Sequence, residues 1–392
     1  MTRSTPSSAR VAIACGGTGG HLFPGLAVAQ QLMAQGASVS LLISPKAVDQ
    51  EAVKSLRGMA IITLPAAAWQ SGSRLACLRG FAQSWVEVRK QFRAQSPDAV
   101  LGMGGFTSAA PILVGRRRGA KTFLHESNSV PGRANRWLAR RVDHAFIGFP
   151  QAAAQLHAPE ITATGTPVRA EFRPRDAGAC RAALGFDPVR PLVLIMGGSQ
   201  GASALNDLVC AVLPQMATRL PRAQWLHLTG PRDVEKVRAA YTRLNLAAVV
   251  KPFLQEMEQV LGAATAAVSR AGASSLAELA ALRLPAVLVP FPQAADNHQW
   301  HNARALAETG AAFLLEQAGA TPERLLTLIA GLLEDTGSRE KMQTALAGWH
   351  SPRAAEQIAG NILKTLAEHA SLTSRLQGAP KEDGPVKLSA IT

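Results

Sequence analysis

The stretch SRAGASSLAELAALRLPAVLVPFPQAADNHQWHN, residues 269–302, contains a glycine turn, a helical pattern, an apolar run and a polar segment, in that order. Ser274 and Ser275 stand where a helix would begin, and leucines then recur at helical spacing until Pro285. The run AVLVPF is typical of a short strand buried on both faces. The stretch therefore predicts one βαβ unit of a parallel sheet.

The same stretch carries groups suited to a phosphorylated sugar. Free N–H groups at the start of its helix form an anion site, and Glu278, one turn in, could accept hydrogen bonds from sugar hydroxyls. Ligands of open α/β sheets bind beyond the carboxyl ends of strands, where we expect the polar residues Asp296, Asn297, Gln299 and Asn302. Taken alone, the segment is equally consistent with an ordinary βαβ unit that carries a polar surface loop.

The length and composition indicate a large two-domain chain. With 392 residues it is too long for one ordinary core, and 47% of its residues are apolar. No apolar run approaches the ~20 residues that span a bilayer, and the start MTRSTPSSAR has no apolar segment, so we expect no secretory signal. The four cysteines lack disulfide or metal spacing, which is a cytosolic pattern.

The formal charge of +14 is concentrated in two regions, residues 74–93 and 116–141. Basic patches attract nucleic acid, anionic lipid or phosphorylated substrates. Few aromatic residues accompany these two regions and no nucleic-acid-binding motif is present, so we expect no nucleic-acid partner. A solvated basic surface without a partner is the alternative.

Each half of the chain begins with a strand, a glycine loop and a helix: VAIACGGTGG at 11–20 and LVLIMGGSQG at 192–201. The segment GTPVRAEFRPR at 165–175 has no periodicity and is the candidate linker. Alternating strands and helices predict parallel sheets with helices on both faces. Strands are predicted at 11–15, 39–43, 61–64, 98–102, 121–125 and 144–147, and then at 192–196, 225–228, 249–253 and 266–268. Helices are predicted at 24–34, 69–93, 202–213 and within 322–364.

Three loops follow strands of the first half: GGTGGH at 16–21, GMGGFTS at 102–108 and HESNSVPG at 125–132. The first loop fits neither the dinucleotide fingerprint nor the phosphate-binding P-loop. His21 lies at its end, near a helix N-terminus that favours the neutral imidazole, the form that a general base requires. A hydrogen-bonded structural histidine is the alternative. All three loops should converge on one edge of the sheet.

These loops belong to a longer ordered set of motifs. GGTGGHLFPGLAVA, GMGGFTSAAP, HESNSVPGRANR, GTPVR, GGSQGASALN, and SRAGASSLAE followed by PFPQAADNHQ occur in this order between about residues 10 and 365. The set resembles that of the MurG family, bacterial transferases that add N-acetylglucosamine from UDP-N-acetylglucosamine to undecaprenyl-pyrophosphoryl-N-acetylmuramyl pentapeptide. The resemblance implies an α/β protein of the GT-B type, with two Rossmann-like domains facing each other across a cleft.

The resemblance also implies a division of the chain. Residues 1–9 would be a disordered start, 10–166 the domain for acceptor and membrane, and 167–351 the domain for the UDP-sugar. Residues 352–370 would form a helix that returns to the first domain, and 371–392 a disordered tail.

By motif position, the resemblance assigns the donor site. The diphosphate would contact Ser199 and the backbone of Ala273, Ser274 and Ser275. Leu254 would face the uracil through its backbone, Arg169 would flank the base, Glu278 would bind the ribose and Gln299 the sugar hydroxyls. From the first domain, the donor would be approached by Thr18, Gly19, Gly20 and Asn128. The serines at 127 and 129 and the sequence GASSLAE depart from other members, so side-chain contacts there transfer less securely than backbone contacts.

The implied reaction needs a base for the acceptor hydroxyl and positive potential at the leaving diphosphate. We expect His21 as the base, with Glu126 as the alternative base or as the residue that orients His21. No Asp or His cluster suggests a metal, so we expect inversion without a metal ion or cofactor.

The lipid acceptor gives the basic regions a partner. The apolar residues of 69–93, interleaved with arginines, suit an anionic membrane surface, but helical spacing equally allows a buried helix face. We expect a peripheral protein on the cytoplasmic face of the plasma membrane. Two alternatives are another GT-B enzyme that uses a UDP-sugar (a non-lipid transferase or a 2-epimerase) and a non-catalytic basic binding protein.

Overall fold

Two parallel β-sheets organise the chain. The computed structural model describes residues 8–54, 56, 58–65, 74–198 and 201–377. The first sheet has the strand order β3-β2-β1-β4-β5-β6-β7. Its strands are β1 Arg10–Ala14, β2 Ser38–Ile43, β3 Ala60–Thr63, β4 Ala99–Gly102, β5 Lys121–Glu126, β6 His144–Ile147 and β7 Glu160–Ala163.

The second sheet repeats this arrangement with one strand fewer, in the order β10-β9-β8-β11-β12-β13. Its strands are β8 Leu192–Met196, β9 Gln224–Leu228, β10 Ala248–Lys251, β11 Ala266–Ser269, β12 Ala286–Leu288 and β13 Phe313–Leu314. Every strand pair in both sheets is parallel, as the alternating sequence pattern predicts.

Helices connect the strands and cover both sheets. In the first part of the chain they are α1 Gly19–Ala34, α2 Ala47–Val53, α3 Arg74–Ala94, α4 Ala109–Arg117, α5 Arg133–Ala139 and α6 Ala177–Ala183. In the second part they are α7 Ser203–Arg219, α8 Val234–Arg243, α9 Met257–Ala263, α10 Ala273–Leu282, α11 His298–Glu308, α12 Pro322–Glu334, α13 Thr336–Trp349 and α14 Ala354–Gln377. No helix of the described residues is both long enough and apolar enough to cross a bilayer.

Apolar layers lie on both faces of each sheet, which is why the strands read as nearly continuous hydrophobic runs. In the second domain, Trp225 and Tyr241 are among the largest fully buried side chains. In the first domain, one core layer includes Ala355, Ile358 and Ile362 from α14, which packs beside α1. The last helix therefore joins the end of the chain to the first domain.

Several elements differ from the sequence-based predictions. Helix α1 begins at Gly19 rather than at Pro24, because Thr18 takes an extended conformation as the N-cap and the glycines after it enter the first turn. Helix α7 continues through Pro214 to Arg219. Residues 298–302 form the start of α11 rather than a loop. Helix α14 runs to Gln377, past the predicted end at 370. Residues 69–73, predicted to be helical, lie outside the described residues.

Each sheet has one point at which the strand order reverses. In the first sheet the order reverses between β1 and β4, and in the second it reverses between β8 and β11. Open α/β sheets bind ligands at such points, where the loops that follow the two strands diverge and leave a crevice. The glycine loops after β1, β4, β8 and β11 therefore all lie at positions where a ligand is expected.

Candidate functional site

A cleft of about 1750 Å³ lies between the two sheets and is lined by residues of both domains. Its first wall comes from the loops after β1, β4 and β5, and its second wall from the start of α10 and of α11. Most residues predicted from the sequence line it: Thr18, Gly19, Gly20, His21, Glu126, Asn128, Arg169, Ala273, Ser274, Ser275, Glu278 and Gln299.

Two predicted site residues are placed differently. Ser199 lies outside the described residues, although its neighbour Gly198 lines the cleft. The side chain of Leu254 packs against the core of the second domain. Its neighbours Phe253 and Gln255 line the cleft instead. The predicted contact of Leu254 involves only its backbone and remains a prediction.

The loop after β1 is held by a buried carboxylate. Asp49 Oδ2 accepts hydrogen bonds from Gly17 N at 2.7 Å and from Ser44 Oγ at 2.5 Å, and Asp49 is fully buried. Lys46 Nζ donates to Gly17 O at 2.7 Å. Neither residue was predicted from the sequence, because Asp49 stands in the short helix α2 and Lys46 just before it, and neither belongs to a motif. They hold the backbone that faces the cleft.

His21 occupies the first turn of α1 and is partly buried. Its Nδ1 lies 3.3 Å from Thr18 Oγ1. Loss of solvation is the main cause that lowers the pKa of His21 to about 4; Asp49 opposes the shift, and His298 and Lys46 add to it. The imidazole is therefore neutral near pH 7, and its Nε2 side lies against the loop after β4.

Glycines in that loop make room for the His21 ring. A Cβ atom on Gly104 would lie 3.0 Å from His21 Nε2, and one on Gly105 would lie 3.1 Å from His21 Cε1. Both glycines have positive φ, 111° and 73°. The motif GMGG thus fixes the position of the ring as well as the turn.

Glu126 is buried at the end of β5, and its carboxylate holds the next loop. Oε1 accepts from the backbone N and Nδ2 of Asn128, at 2.8 and 3.0 Å. Oε2 accepts from Gly132 N at 2.9 Å and from Asn135 Nδ2 at 2.8 Å. A carboxylate has about four lone-pair positions, and four donors fill them here. This argues against Glu126 as the base, and none of the hydrogen bonds among the described residues joins it to His21.

Asn302 connects the two walls of the cleft. It is fully buried on α11, and its Oδ1 accepts from the backbone N of Ser129 at 2.9 Å and from its Oγ at 2.8 Å. Its Nδ2 donates to Asn128 Oδ1 at 3.0 Å and to Ala271 O at 3.2 Å. One side chain therefore ties the loop after β5 to the loop that precedes α10.

The second wall combines a helix N-terminus with a carboxyl group. The N-cap of α10 is Gly272, which has no side chain to bond the first N–H groups of the helix. One turn further, burial raises the pKa of Glu278 to about 7, with Arg169 lowering it and Glu258 raising it. The first turn of α10 therefore offers donors for an anion, and Glu278 offers an acceptor beside them.

Arg169 and Gln299 also line the cleft. The guanidinium of Arg169 stacks on Phe23 of the first domain, with its central carbon 4.9 Å from the ring centre. Gln299 Oε1 accepts from Ala271 N at 3.2 Å and from Phe291 N at 3.0 Å. The oxygen of Gln299 therefore serves the protein backbone, and its Nε2 is the group that can donate toward a ligand. Among the described residues, no group of three or more His, Cys, Asp or Glu side chains could hold a metal ion.

Comparison with known proteins adds independent information. Residues 11–147 match the family model of the glycosyltransferase family 28 N-terminal domain, and residues 192–358 match that of its C-terminal domain. The chain is similar to two proteins named UDP-N-acetylglucosamine--N-acetylmuramyl-(pentapeptide) pyrophosphoryl-undecaprenol N-acetylglucosamine transferase. That of Verminephrobacter eiseniae is 37% identical over 359 residues, 88% of this chain and 98% of the relative. That of Bacillus licheniformis is 33% identical over 368 residues, which cover 92% of this chain and 100% of the relative.

Solved structures agree with this similarity. The crystal structure of Acinetobacter baumannii MurG matches with a TM-score of 0.70 and 30% identity, covering 91% of this chain and 99% of that one. A putative UDP-N-acetylglucosamine 2-epimerase from Listeria monocytogenes matches with a TM-score of 0.68 but only 16% identity. The match covers 92% of this chain and 98% of that one. At that identity the second likeness shows the fold alone.

Proposed function

Because the chain belongs to glycosyltransferase family 28 and, within it, to the MurG transferases, we propose the following reaction. The protein transfers N-acetylglucosamine from UDP-N-acetylglucosamine to undecaprenyl-pyrophosphoryl-N-acetylmuramyl pentapeptide. This is the step that converts lipid I to lipid II in peptidoglycan synthesis. The fold is GT-B: two Rossmann-like domains with parallel sheets face each other across the cleft.

One observation carries the assignment of the site. The first turn of α10 with Glu278 and the ring of His21 line opposite walls of one cleft. A nucleotide-sugar bound to the second domain would thus present its sugar to the first domain. The first domain supplies a neutral imidazole at that point, where an acceptor hydroxyl must lose its proton.

The donor is held by the second domain in this proposal. Its diphosphate lies on the N–H groups of Ala273, Ser274 and Ser275, where the helix dipole favours negative charge. The ribose hydroxyls donate to the carboxylate of Glu278, and Arg169 flanks the base. Gln299 donates its Nε2 to a sugar hydroxyl. Ser199 and the backbone of Leu254 complete the site as predicted from the sequence.

The chemistry is a single displacement. The acceptor's sugar hydroxyl attacks the anomeric carbon of the donor while the bond to the diphosphate oxygen breaks, so the configuration at that carbon inverts. The hydroxyl proton passes to His21, and UDP leaves with the bonding electrons. We retain the prediction that no metal ion takes part, because the α10 N-terminus and the loop N–H groups supply positive potential at the leaving diphosphate.

A membrane surface next to the cleft is also part of the proposal. On α3, Val88 and Phe92 belong to the core, whereas Leu78 and Val86 are each 65% exposed. The helix therefore packs on the core through part of its length and still exposes two large apolar side chains. Arg117 of α4 stacks on Trp85 of α3, with its central guanidinium carbon 4.7 Å from the ring centre. Exposed basic side chains surround this region. We infer peripheral binding of this region to an anionic membrane, on the cytoplasmic side.

An assay with both substrates tests the proposed function. The full chain is incubated with UDP-N-acetylglucosamine and the lipid acceptor in vesicles, and the lipid product is analysed by mass spectrometry. We expect UDP release that depends on the acceptor and a lipid that has gained one N-acetylhexosamine. UDP release that is the same without acceptor, or conversion of the donor sugar to its C2 epimer, would refute the proposal.

A further inference from the structure

An ion cluster bridges the two domains at the rim of the cleft. Arg133 and Arg136 stand on α5 of the first domain, and Asp296 stands just before α11 of the second. Asp296 Oδ1 lies 3.2 Å from Arg133 Nη2, and Oδ2 lies 2.7 Å from Arg136 Nη2. Both arginines hold the pKa of Asp296 below its usual value. The cluster has two positive charges for one negative charge, so it carries a net positive charge.

The backbone under Asp296 is held in a sparsely populated conformation. Asp296 and Asn297 have φ of 50° and 52°, and they are consecutive. A non-glycine residue in this region carries strain, less for Asp and Asn than for others, and such strain is concentrated at ligand sites and switches. The contact to the arginines therefore helps to hold this strained backbone in place.

An apolar wing of the cleft begins beside the arginines. It is lined by Leu78, Phe81, Phe106, Val130, Pro131 and Trp137. The Phe81 and Phe106 ring centres are 5.7 Å apart. Phe106 directly follows Gly105, against which the His21 ring lies. Trp137, another residue of this lining, is 45% exposed.

We propose that Arg133 and Arg136 bind the diphosphate of the lipid acceptor, which takes the place of the Asp296 carboxylate. The apolar wing then holds the first prenyl units of that lipid. The inference rests on the proposed function and names the acceptor subsite within it. A diphosphate diester carries two negative charges, so it matches the two arginines better than one carboxylate does.

The charge pattern favours the acceptor over the donor as the occupant. The donor's diphosphate already has the first turn of α10, on the opposite wall. A nucleotide has no apolar chain to fill the wing, whereas a prenyl diphosphate joins an apolar chain to a doubly charged group. The wing also includes Phe106, which follows the glycine against which His21 lies, and the exposed Leu78 of α3, so it connects the proposed base with the proposed membrane surface.

Farnesyl diphosphate tests this subsite without catalysis. We expect it to compete with the lipid acceptor and not with UDP-N-acetylglucosamine. The double variant Arg133→Gln/Arg136→Gln should weaken its binding, and raise the KM for the acceptor, by at least about tenfold, with the donor KM unchanged. Arg238→Gln/Arg304→Gln is the matched control, because each of these arginines pairs with a glutamate on its own helix and neither lines the cleft.

Two further ligands test the contributions of the diphosphate and of the prenyl chain separately. Inorganic diphosphate and farnesol should each bind more weakly than farnesyl diphosphate, since each lacks one half of the ligand. Asp296→Asn should lower the acceptor KM by removing the competing carboxylate.

Several results would overturn the inference. These are competition of farnesyl diphosphate with the donor alone, unchanged acceptor KM in the double arginine variant, or a rise of acceptor KM in Asp296→Asn equal to that in the arginine variant. If the wild type transfers the sugar and the arginine variant behaves like it, the subsite fails while the proposed function stands. If the wild type transfers no sugar to the lipid, the proposed function fails first.

Discussion

At the scale of single residues, substitution of His21 is the sharpest test of the proposed mechanism. The structure gives His21 a neutral ring, contacts to Thr18 and to the two glycines, and a place on the cleft wall. His21→Ala should lower kcat by about 10²–10⁴-fold, the usual contribution of a general base. The Kd for UDP-N-acetylglucosamine should stay nearly unchanged, because the proposed donor site is built mainly from the second domain.

Steady-state kinetics and donor titration of His21→Ala make this measurement. His157→Ala, which changes an exposed histidine elsewhere on the first domain, is the control. An unchanged kcat in His21→Ala would remove His21 from the role of base.

Glu278 predicts how donor binding depends on pH. Burial raises its pKa to about 7, so the carboxyl group is protonated below that pH and ionised above it. Ribose hydroxyls donate best to the ionised form, and binding is therefore lost as pH falls. If only the ionised form binds, the donor KM should rise about tenfold between pH 8 and pH 6.

The KM profile of the wild type is compared with that of Glu278→Gln, which has no carboxyl group to titrate. The variant should bind the donor weakly at every pH and show a flat profile. A profile in the variant that still rises toward low pH would mean that another group controls donor binding.

At the scale of elements, the loops matter through the strands that carry them. The loops after β1 and β4 diverge at the reversal point of the first sheet, and glycines let them pack closely. Gly104→Ala would place a Cβ atom 3.0 Å from His21 Nε2. Because a displacement of about 1 Å in a catalytic group costs about 10²-fold in rate, we expect kcat to fall strongly while both KM values change little.

The control for Gly104→Ala separates strain from contact. Gly119 also has positive φ, 86°, but a Cβ there would meet nothing within 4 Å. Gly119→Ala should therefore carry a similar loss of stability in thermal unfolding and leave kcat intact. Equal loss of kcat in both variants would show that backbone strain, and not the His21 contact, is responsible.

Prediction of elements from sequence succeeded where the periodicity was simple. The strand LVLIM at 192–196 and the strand at 144–147 were predicted with the observed bounds. Short elements such as α2 and β13 were missed because a few residues carry too little periodicity. The start of α11 at 298–302 was predicted to be a loop. Its polar residues hide the helical pattern, because His298 and Gln299 line the cleft and do not need to be apolar.

At the scale of the whole molecule, the repeated glycine loops predict two parallel-sheet domains, the resemblance to the MurG family implies the GT-B arrangement, and both are confirmed. Contacts across the cleft could not be predicted, since they join residues that are far apart in the chain. Asn302 meets Ser129, and Asp296 meets two arginines, only once both domains are in place. Asp49 was missed for a similar reason, because its role depends on the backbone of Gly17 and not on a motif of its own.

Membrane binding is a property of the whole surface and needs a test at that scale. Reversing the charges of Arg79, Arg116, Arg117 and Arg118 to glutamate should weaken binding to anionic vesicles by at least about tenfold, since each basic residue near the surface contributes about 1 kcal/mol. Added salt should reduce wild-type binding in the same direction.

Co-sedimentation with anionic and with neutral vesicles measures the effect of these reversals. Arg238→Glu/Arg304→Glu, on the second domain, is the control. Binding that is insensitive to the reversals and to salt would show that this region is a solvated basic surface without a membrane partner.

A crystal structure with UDP-N-acetylglucosamine bound would show whether the second domain holds the donor with its sugar toward His21. We expect diphosphate oxygens within hydrogen-bonding distance of the backbone N–H groups of Ala273–Ser275, the ribose at Glu278, and the sugar facing His21 across the cleft. A nucleotide bound instead to the loop at 16–20 of the first domain, or outside the cleft, would contradict this expectation.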